Sequence, residues 1–271
     1  MALDIKDIKP RIGTEVRCDK EELLSGEHAA RLRELLEQRG VLVFPAIDLD
    51  DGEQVAFTHS LGKLAPEMHG QDIYKVTLDE GANARSAYLK GSMYWHIDGT
   101  MNEVPILASI LCAKVLSAEG GQTEFCNTYA AYDDLDPEDQ QAYEKLRVTH
   151  SAWNSLFYYE PEPPLEMLEQ MMAIGDNELP LVWKHRSGRK SLVLGCTAYD
   201  VAGMDPKESA RLLVKLREWA TQPDFVYRHE WQVGDLVIWD NTGTMHRATA
   251  YDPASGRMMH RTKLEGEETF A

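Results

Sequence analysis

A chain of 271 residues, 43% hydrophobic and 27% charged, has the size and composition of one large globular domain or two small ones, which excludes disorder, collagen and coiled coil. Its 28 Lys and Arg stand against 45 Asp and Glu, and the resulting net charge of −17 repels phosphate backbones and anionic membranes, so neither a nucleic acid nor a membrane is an expected partner. No apolar run reaches the roughly 18 residues of a spanning helix, and the opening MALDIKDIKPRIG lacks a signal peptide's apolar core, so the expected compartment is the cytoplasm.

After a short strand-like start, residues 27–39 set Ala29, Leu32, Leu35 and Leu36 at helical spacing, with Gly40 as a C-terminal stop. Residues 41–45, VLVFP, read as a short buried strand, and residues 51–61 as a second helix closed by Gly62. From Ile73 onward the chain reads mostly as short β segments separated by Gly, Pro, Asn and Asp: IYKVTL, ILASILCAKV, RVTHSAW, LVWKH, SLVLG, FVYRHEW, DLVIWD and RMMHRTKLE. That rhythm predicts a sandwich or barrel. Two helical insertions interrupt it, residues 136–145 and 206–220, the second with Leu212, Leu213, Leu216 and Trp219 on one face and Pro206 in its first turn. The Pro-, Tyr- and Met-rich stretch of residues 151–180 is too long for an ordinary connection. It reads either as a lid or interface segment or as a surface excursion with a helix around 165–172. Cys18, Cys112, Cys126 and Cys196 form no C-x-x-C pair, so buried reduced thiols are expected rather than a zinc cage or a disulfide framework.

Chemistry enters with Tyr94-Trp95-His96-Ile97-Asp98. On an extended segment a spacing of two puts His96 and Asp98 on one face, where imidazole and carboxylate can share a cation. Alone the pair also reads as a surface ion pair, because nine histidines in so acidic a chain give roughly one or two such matches by chance. A second region strengthens it: residues 233–241 run as a strand into a turn that delivers His246, the third ligand that completes two histidines and one carboxylate on one metal face. Beyond His246 the chain turns and returns as Arg257 to Arg261, where even spacing sets Arg257, Met259 and Arg261 on one side and His260 on the other. A dianion between the metal and this strand is then within reach of Arg257 as a bidentate partner; without the histidine nearby, two such arginines would read as solvent-facing charge.

The set WHID, GGQTEF, WDNTGTMH and GRMMHR, with the opening RGVLVFPAIDLDDGEQVAFTHSLGKL, resembles the TauD/TfdA family of iron(II)- and 2-oxoglutarate-dependent dioxygenases over nearly the whole chain. The resemblance implies one domain over residues 1–271, mainly β with flanking helices: a distorted double-stranded β-helix, or cupin-like jelly roll. It implies an iron triad of His96, Asp98 and His246, with Arg257, eleven residues after His246, gripping the distal carboxylate of 2-oxoglutarate beside the Thr123 hydroxyl. Arg261 matches the arginine that binds an anionic group of the primary substrate. Three protein ligands leave three positions of an octahedral iron for a chelating 2-keto acid and O2, which suits oxidative decarboxylation to succinate and CO2.

Other residues are weighed against plainer roles. His69 in PEMHG is a substrate contact or a solvated loop histidine, and Met93 and Tyr94 line the pocket or pack in the core. Phe157, Tyr158 and Tyr159 are candidates to cap the pocket, while Trp239, Asp240 and Asn241 are expected to brace the turn that aims His246. The expected substrate is a small anionic acid with a hydrophobic body, an aryloxy or alkyl carboxylate or sulfonate held by Arg261, unless Arg261 pairs with a protein carboxylate such as Glu265. The alternatives are the same iron chemistry spent on desaturation, cyclisation or N-oxidation, and a cupin-like binding module without a metal. Association into a homo-oligomer is expected.

Overall fold

The computed structural model describes residues 3–67, 70–83 and 86–271. These form strands β1 (Asp4–Asp7) and β2 (Thr14–Arg17), helices α1 (Lys20–Leu24) and α2 (Ala29–Arg39), β3 (Val41–Phe44), α3 (Asp51–Leu61), β4 (Tyr74–Val76) and α4 (Ser86–Leu89). The middle of the chain gives β5 (Ala108–Val115), β6 (Thr123–Asn127), α5 (Thr128–Asp133), α6 (Pro137–Tyr143), β7 (Arg147–Ser151), α7 (Ala152–Tyr159), α8 (Leu165–Met172) and β8 (Asp176–Pro180). The rest gives β9 (Val182–Lys184), β10 (Lys190–Leu192), β11 (Ala198–Val201), α9 (Pro206–Ala220), β12 (Val226–His229), β13 (Leu236–Asp240), β14 (Thr244–Ala248) and β15 (Met258–Leu264).

Side-chain alternation on the central strands decides how these elements stack. β3, β13 and β5 are apolar on both faces, as strands buried on both sides must be. Leu42, Phe44, Leu236, Ile238, Ile110 and Cys112 point to one side, where Leu23, Leu35, Phe57 and Leu61 of α1, α2 and α3 cover them. Val41, Val43, Val237, Trp239, Leu111 and Ala113 point to the other, onto Phe125 of β6. The seven-stranded sheet β1-β2-β3-β13-β5-β15-β4 thus faces the three-stranded sheet β12-β6-β14 across an apolar interior, which is the jelly roll expected from the strand rhythm. β2 and β3 run parallel, and the remaining pairs in both sheets are antiparallel.

A third layer lies outside the smaller sheet. Cys126 and Met245, on its outward face, pack with Ala130 and Ala131 of α5, Leu213, Leu216 and Ala220 of α9, and Trp183 of β9. α9 starts where Pro206 predicts, with the Asp205 carboxylate accepting from Lys207 N–H at 2.9 Å. α3 opens on a capping box: Glu53 N–H donates to Asp50, and Asp50 N–H donates to Glu53. Residues 151–180 hold α7, α8 and part of the β7-β8-β11 sheet, closed over a small core of Ala152, Leu156 and Met171. The four cysteines are free thiols, and no helix among the described residues is long and apolar enough to cross a membrane.

Candidate functional site

His96 and His246 are partners across an antiparallel bridge: His96 N–H donates to the His246 carbonyl at 3.1 Å, and His246 N–H to the His96 carbonyl at 2.9 Å. Residues so paired project to the same side, and the two imidazoles stand with centroids 4.1 Å apart. His246 lies at the middle of β14, the strand that the turn starts. Two residues beyond His96 the extended chain brings Asp98 to that side, while Trp95 and Ile97 turn the other way into the third-layer core. Asp98 Oδ1 is 3.5 Å from His96 Nε2, and Oδ2 is 3.8 Å from His246 Nε2. One donor atom from each residue lies within 4.8 Å of the others, leaving room for one cation among two imidazole nitrogens and a carboxylate oxygen.

Protonation suits that role. The Tyr94 carbonyl accepts from His96 Nδ1 at 2.8 Å; a carbonyl only accepts, so the proton sits on Nδ1 and Nε2 is bare. His246 is held by packing, its ring 4.7 Å from that of Trp239, and burial together with the neighbouring His96 keeps its pKa well below the ordinary value. Burial pushes the Asp98 carboxyl up, but the polar and cationic surroundings, with the Arg261 guanidinium as the permanent charge, outweigh this and hold it well below the usual carboxylate range. Its backbone is clamped by Asn241: Asp98 N–H donates to Asn241 Oδ1 at 3.0 Å, and Asn241 Nδ2 donates to the Asp98 carbonyl at 2.6 Å. Asn241 therefore positions the carboxylate ligand as well as the turn. The same turn is pinned by Thr242, which bonds Asp240 at 2.6 Å and Tyr129 at 2.9 Å.

Arg257 is 3% exposed, and no carboxylate among the described residues pairs with it. Its Nη2 donates to the Gly121 carbonyl at 2.9 Å and its guanidinium carbon lies 4.7 Å from the centre of the Tyr251 ring, while its buried Nε has no hydrogen-bond partner. A guanidinium buried in this way is costly unless an anion meets it, so this side chain fits a bound carboxylate. Gly121, at φ +76°, makes the approach possible: a Cβ there would stand 2.7 Å from Arg257 Nε. Thr123 opens β6, and its hydroxyl accepts from Trp231 Nε1 at 3.0 Å, which leaves its own proton to donate.

Arg261 stands on the interior face of β15 with Met259 and Lys263, opposite Leu111, and its Nη1 is 3.6 Å from Asp98 Oδ2. It has a protein partner, Glu67, 3.1 Å from Nε; Glu265 pairs instead with Lys63 at 2.7 Å. Lys263 Nζ meets the same Glu67 at 3.0 Å. His260 turns to the opposite face and meets Asp51 at 2.6 Å. Met93 ends a half-buried helical turn, Lys90–Met93. Tyr94 packs edge-on against Tyr158, ring centroids 5.2 Å apart, and both line a cavity of about 870 Å³ with Trp95, Arg217 and Arg247, among whose walls no triad residue occurs. His69 lies outside the described residues. Glu67 and Lys263 escape notice in the sequence, although Lys263 follows Arg261 at the strand spacing of two.

The model of the taurine catabolism dioxygenase TauD, TfdA family matches residues 4–263. The α-ketoglutarate-dependent 2,4-dichlorophenoxyacetate dioxygenase of Cupriavidus pinatubonensis is 36% identical over 90% of this chain and 90% of its own. The (S)-phenoxypropionate/α-ketoglutarate dioxygenase of Sphingobium herbicidovorans is 35% identical over 84% of this chain and 82% of its own. Among solved structures, that of AAD-2 with Mn(II) and N-oxalylglycine superposes with a TM-score of 0.85 at 32% identity, covering 100% of both chains. Sequence, fold and the grouping of His96, Asp98 and His246 agree, and the chain belongs to the taurine catabolism dioxygenase TauD, TfdA family.

Proposed function

We propose that this enzyme is an iron(II)- and 2-oxoglutarate-dependent dioxygenase that hydroxylates a small organic acid carrying a hydrophobic body, an aryloxy or alkyl carboxylate or sulfonate. Family membership implies iron(II), 2-oxoglutarate and O2, and the donor set of His96, Asp98 and His246 suits that metal. The bound group supplies oxidative decarboxylation of 2-oxoglutarate to succinate and CO2, coupled to oxidation of the substrate. The chain's own residues orient and select. His96 Nδ1 keeps its proton on the Tyr94 carbonyl, Asn241 fixes Asp98, and Arg257 with the Thr123 hydroxyl receives the far carboxylate of 2-oxoglutarate.

The observation that carries the substrate reading is a cation beside the triad, Arg261, 3.6 Å from Asp98. Aryloxy acids are the named substrates of the relatives, and a carboxylate held at Arg261 sets the attached apolar body near the metal ligands. Met93, Tyr94 and His69 are the further residues we assign to the substrate's surroundings, and we assign residues 151–180, whose Tyr158 packs on Tyr94, the role of lid or interface segment. We read the chain as one domain that acts in the cytoplasm and associates with its own copies, for which Leu165, Met172 and Ile174 offer exposed apolar side chains. The test is an anaerobic titration with iron(II) and 2-oxoglutarate, followed by aerobic assay of carboxylates and sulfonates for succinate and product mass. A visible metal-to-ligand band, and turnover of an acid but not of its methyl ester, are expected; no band, or equal turnover of the ester, refutes the reading.

A further inference from the structure

Glu67 is a carboxylate whose side chain is only 4% exposed, and two cations of β15 converge on it. Arg261 reaches it through Nε at 3.1 Å and Nη2 at 3.3 Å, and Lys263 through Nζ at 3.0 Å. Both cations lie on the interior face of the strand: Arg261 is opposite Leu111, and Lys263 is opposite Ser109, whose hydroxyl is 3.4 Å from Asp98 Oδ2. Arg261 therefore stands between two carboxylates, Glu67 on one side and the metal ligand Asp98 on the other.

We infer that Glu67 is a positioning residue that fixes the Arg261 guanidinium through Nε and Nη2 and, with Lys263, sets the net charge of the substrate-anion subsite at plus one, so that the subsite takes a monoanion; this rests on the dioxygenase reading above. In the loaded enzyme iron(II) and Arg257 would balance Asp98 and the 2-oxoglutarate dianion, so Arg261, Lys263 and Glu67 leave one positive charge for the ligand. A carboxylate, sulfonate or sulfate ester matches that charge, whereas a phosphate monoester dianion leaves one negative charge uncompensated in a half-buried place. Glu67 also acts on geometry. A guanidinium held by two of its nitrogens keeps one orientation, and here Nη1 remains on the side of the triad.

The full chain, loaded anaerobically with iron(II) and 2-oxoglutarate, is titrated with phenoxyacetate as the monoanion and phenyl phosphate as the dianion, at a mildly alkaline pH where the phosphate is fully ionised. Binding is read from the change in the visible band. The wild type is expected to prefer phenoxyacetate. Glu67→Gln should shift the ratio of the two dissociation constants toward phenyl phosphate by roughly ten-fold, the worth of one charge-assisted hydrogen bond. Lys263→Met should weaken binding of phenoxyacetate, and the double variant Glu67→Gln/Lys263→Met, whose net charge again is plus one, should recover the wild-type ratio. Should Glu67→Gln alone fail to fold, the double variant compared with Lys263→Met decides the matter. Equal losses for both ligands in Glu67→Gln, a double variant that does not recover the ratio, or a wild type that prefers phenyl phosphate or binds neither probe would overturn the inference. A wild type without the visible band before either probe is added refutes the dioxygenase reading instead.

Discussion

A metal-bound imidazole must place the proton of its second nitrogen somewhere, and the two histidines of this site do so differently. His96 donates to a backbone carbonyl, whereas His246 has a buried Nδ1 without a hydrogen-bond partner among the described residues and relies on aromatic packing against Trp239. Removing His246 deletes a ligand outright, so His246→Ala should abolish the visible band of the iron(II)·2-oxoglutarate complex; a persisting band would remove His246 from the ligand set. Asn241 acts one step back, through two hydrogen bonds to the Asp98 backbone and a third to the Ile106 carbonyl. Loss of such a support typically costs about 10- to 100-fold in metal affinity, and Asn241→Ala should show that loss in an iron(II) titration. Arg257→Ala should raise the KM for 2-oxoglutarate by roughly ten-fold or more with little change in iron affinity. Gly121→Ala should act in the same direction, because its Cβ would displace the guanidinium.

Between residues and the whole molecule stand the turn and the helix caps, where stability and activity separate. Gly243, in the turn between β13 and β14, lies so close to the Tyr129 ring that a Cβ would overlap it. Gly243→Ala should cost about 1–3 kcal/mol in urea unfolding and also lower activity, because the shifted turn carries His246. Asp50→Ala removes the acceptor of the α3 capping box, on the face of the large sheet opposite the one that carries Arg261; it should cost about 1 kcal/mol and leave kcat/KM intact. These elements also differ in how well the sequence announces them. α3 and α9 have caps and apolar spacing within themselves, and residues 51–61 and 206–220 are the helices observed. The iron ligands stand out because a spacing of two is a local rule. β14 and α7 do not: THSAWN carries no break where β7 ends and α7 begins, and tertiary packing against Met171 and Leu168 makes the choice. Glu67 is invisible for a different reason, since its partners are 194 and 196 residues away and the bridge of Leu64 to Leu264, with Ala65 N–H donating to the Lys263 carbonyl, is what lays its segment beside β15.

At the scale of the molecule, buried Asp240 and His150 pull stability in opposite directions with pH. Burial raises the Asp240 carboxyl from 3.8 to about 6 despite the hydrogen bonds from Thr242, so its contribution is present below pH 3.8 and is lost as the pH rises through 6. Burial lowers His150 from 6.5 to about 3, so its contribution is present above pH 6.5 and is lost as the pH falls toward 3. Asp240→Asn should therefore gain Tm relative to the wild type as the pH rises from 4 to 6, and His150→Gln should gain as it falls through the same range; parallel Tm profiles would contradict both. The bridge between His96 and His246 has a further consequence at this scale. Because each ligand's amide is bonded to the other's carbonyl, the separation of the two imidazoles is set by the backbone and not by the ion between them. Stripping with a chelator should then leave the fold intact and the ligands in register, so that iron returns in a single fast phase without refolding, and slow hydrogen exchange at these two amides should persist in the stripped protein.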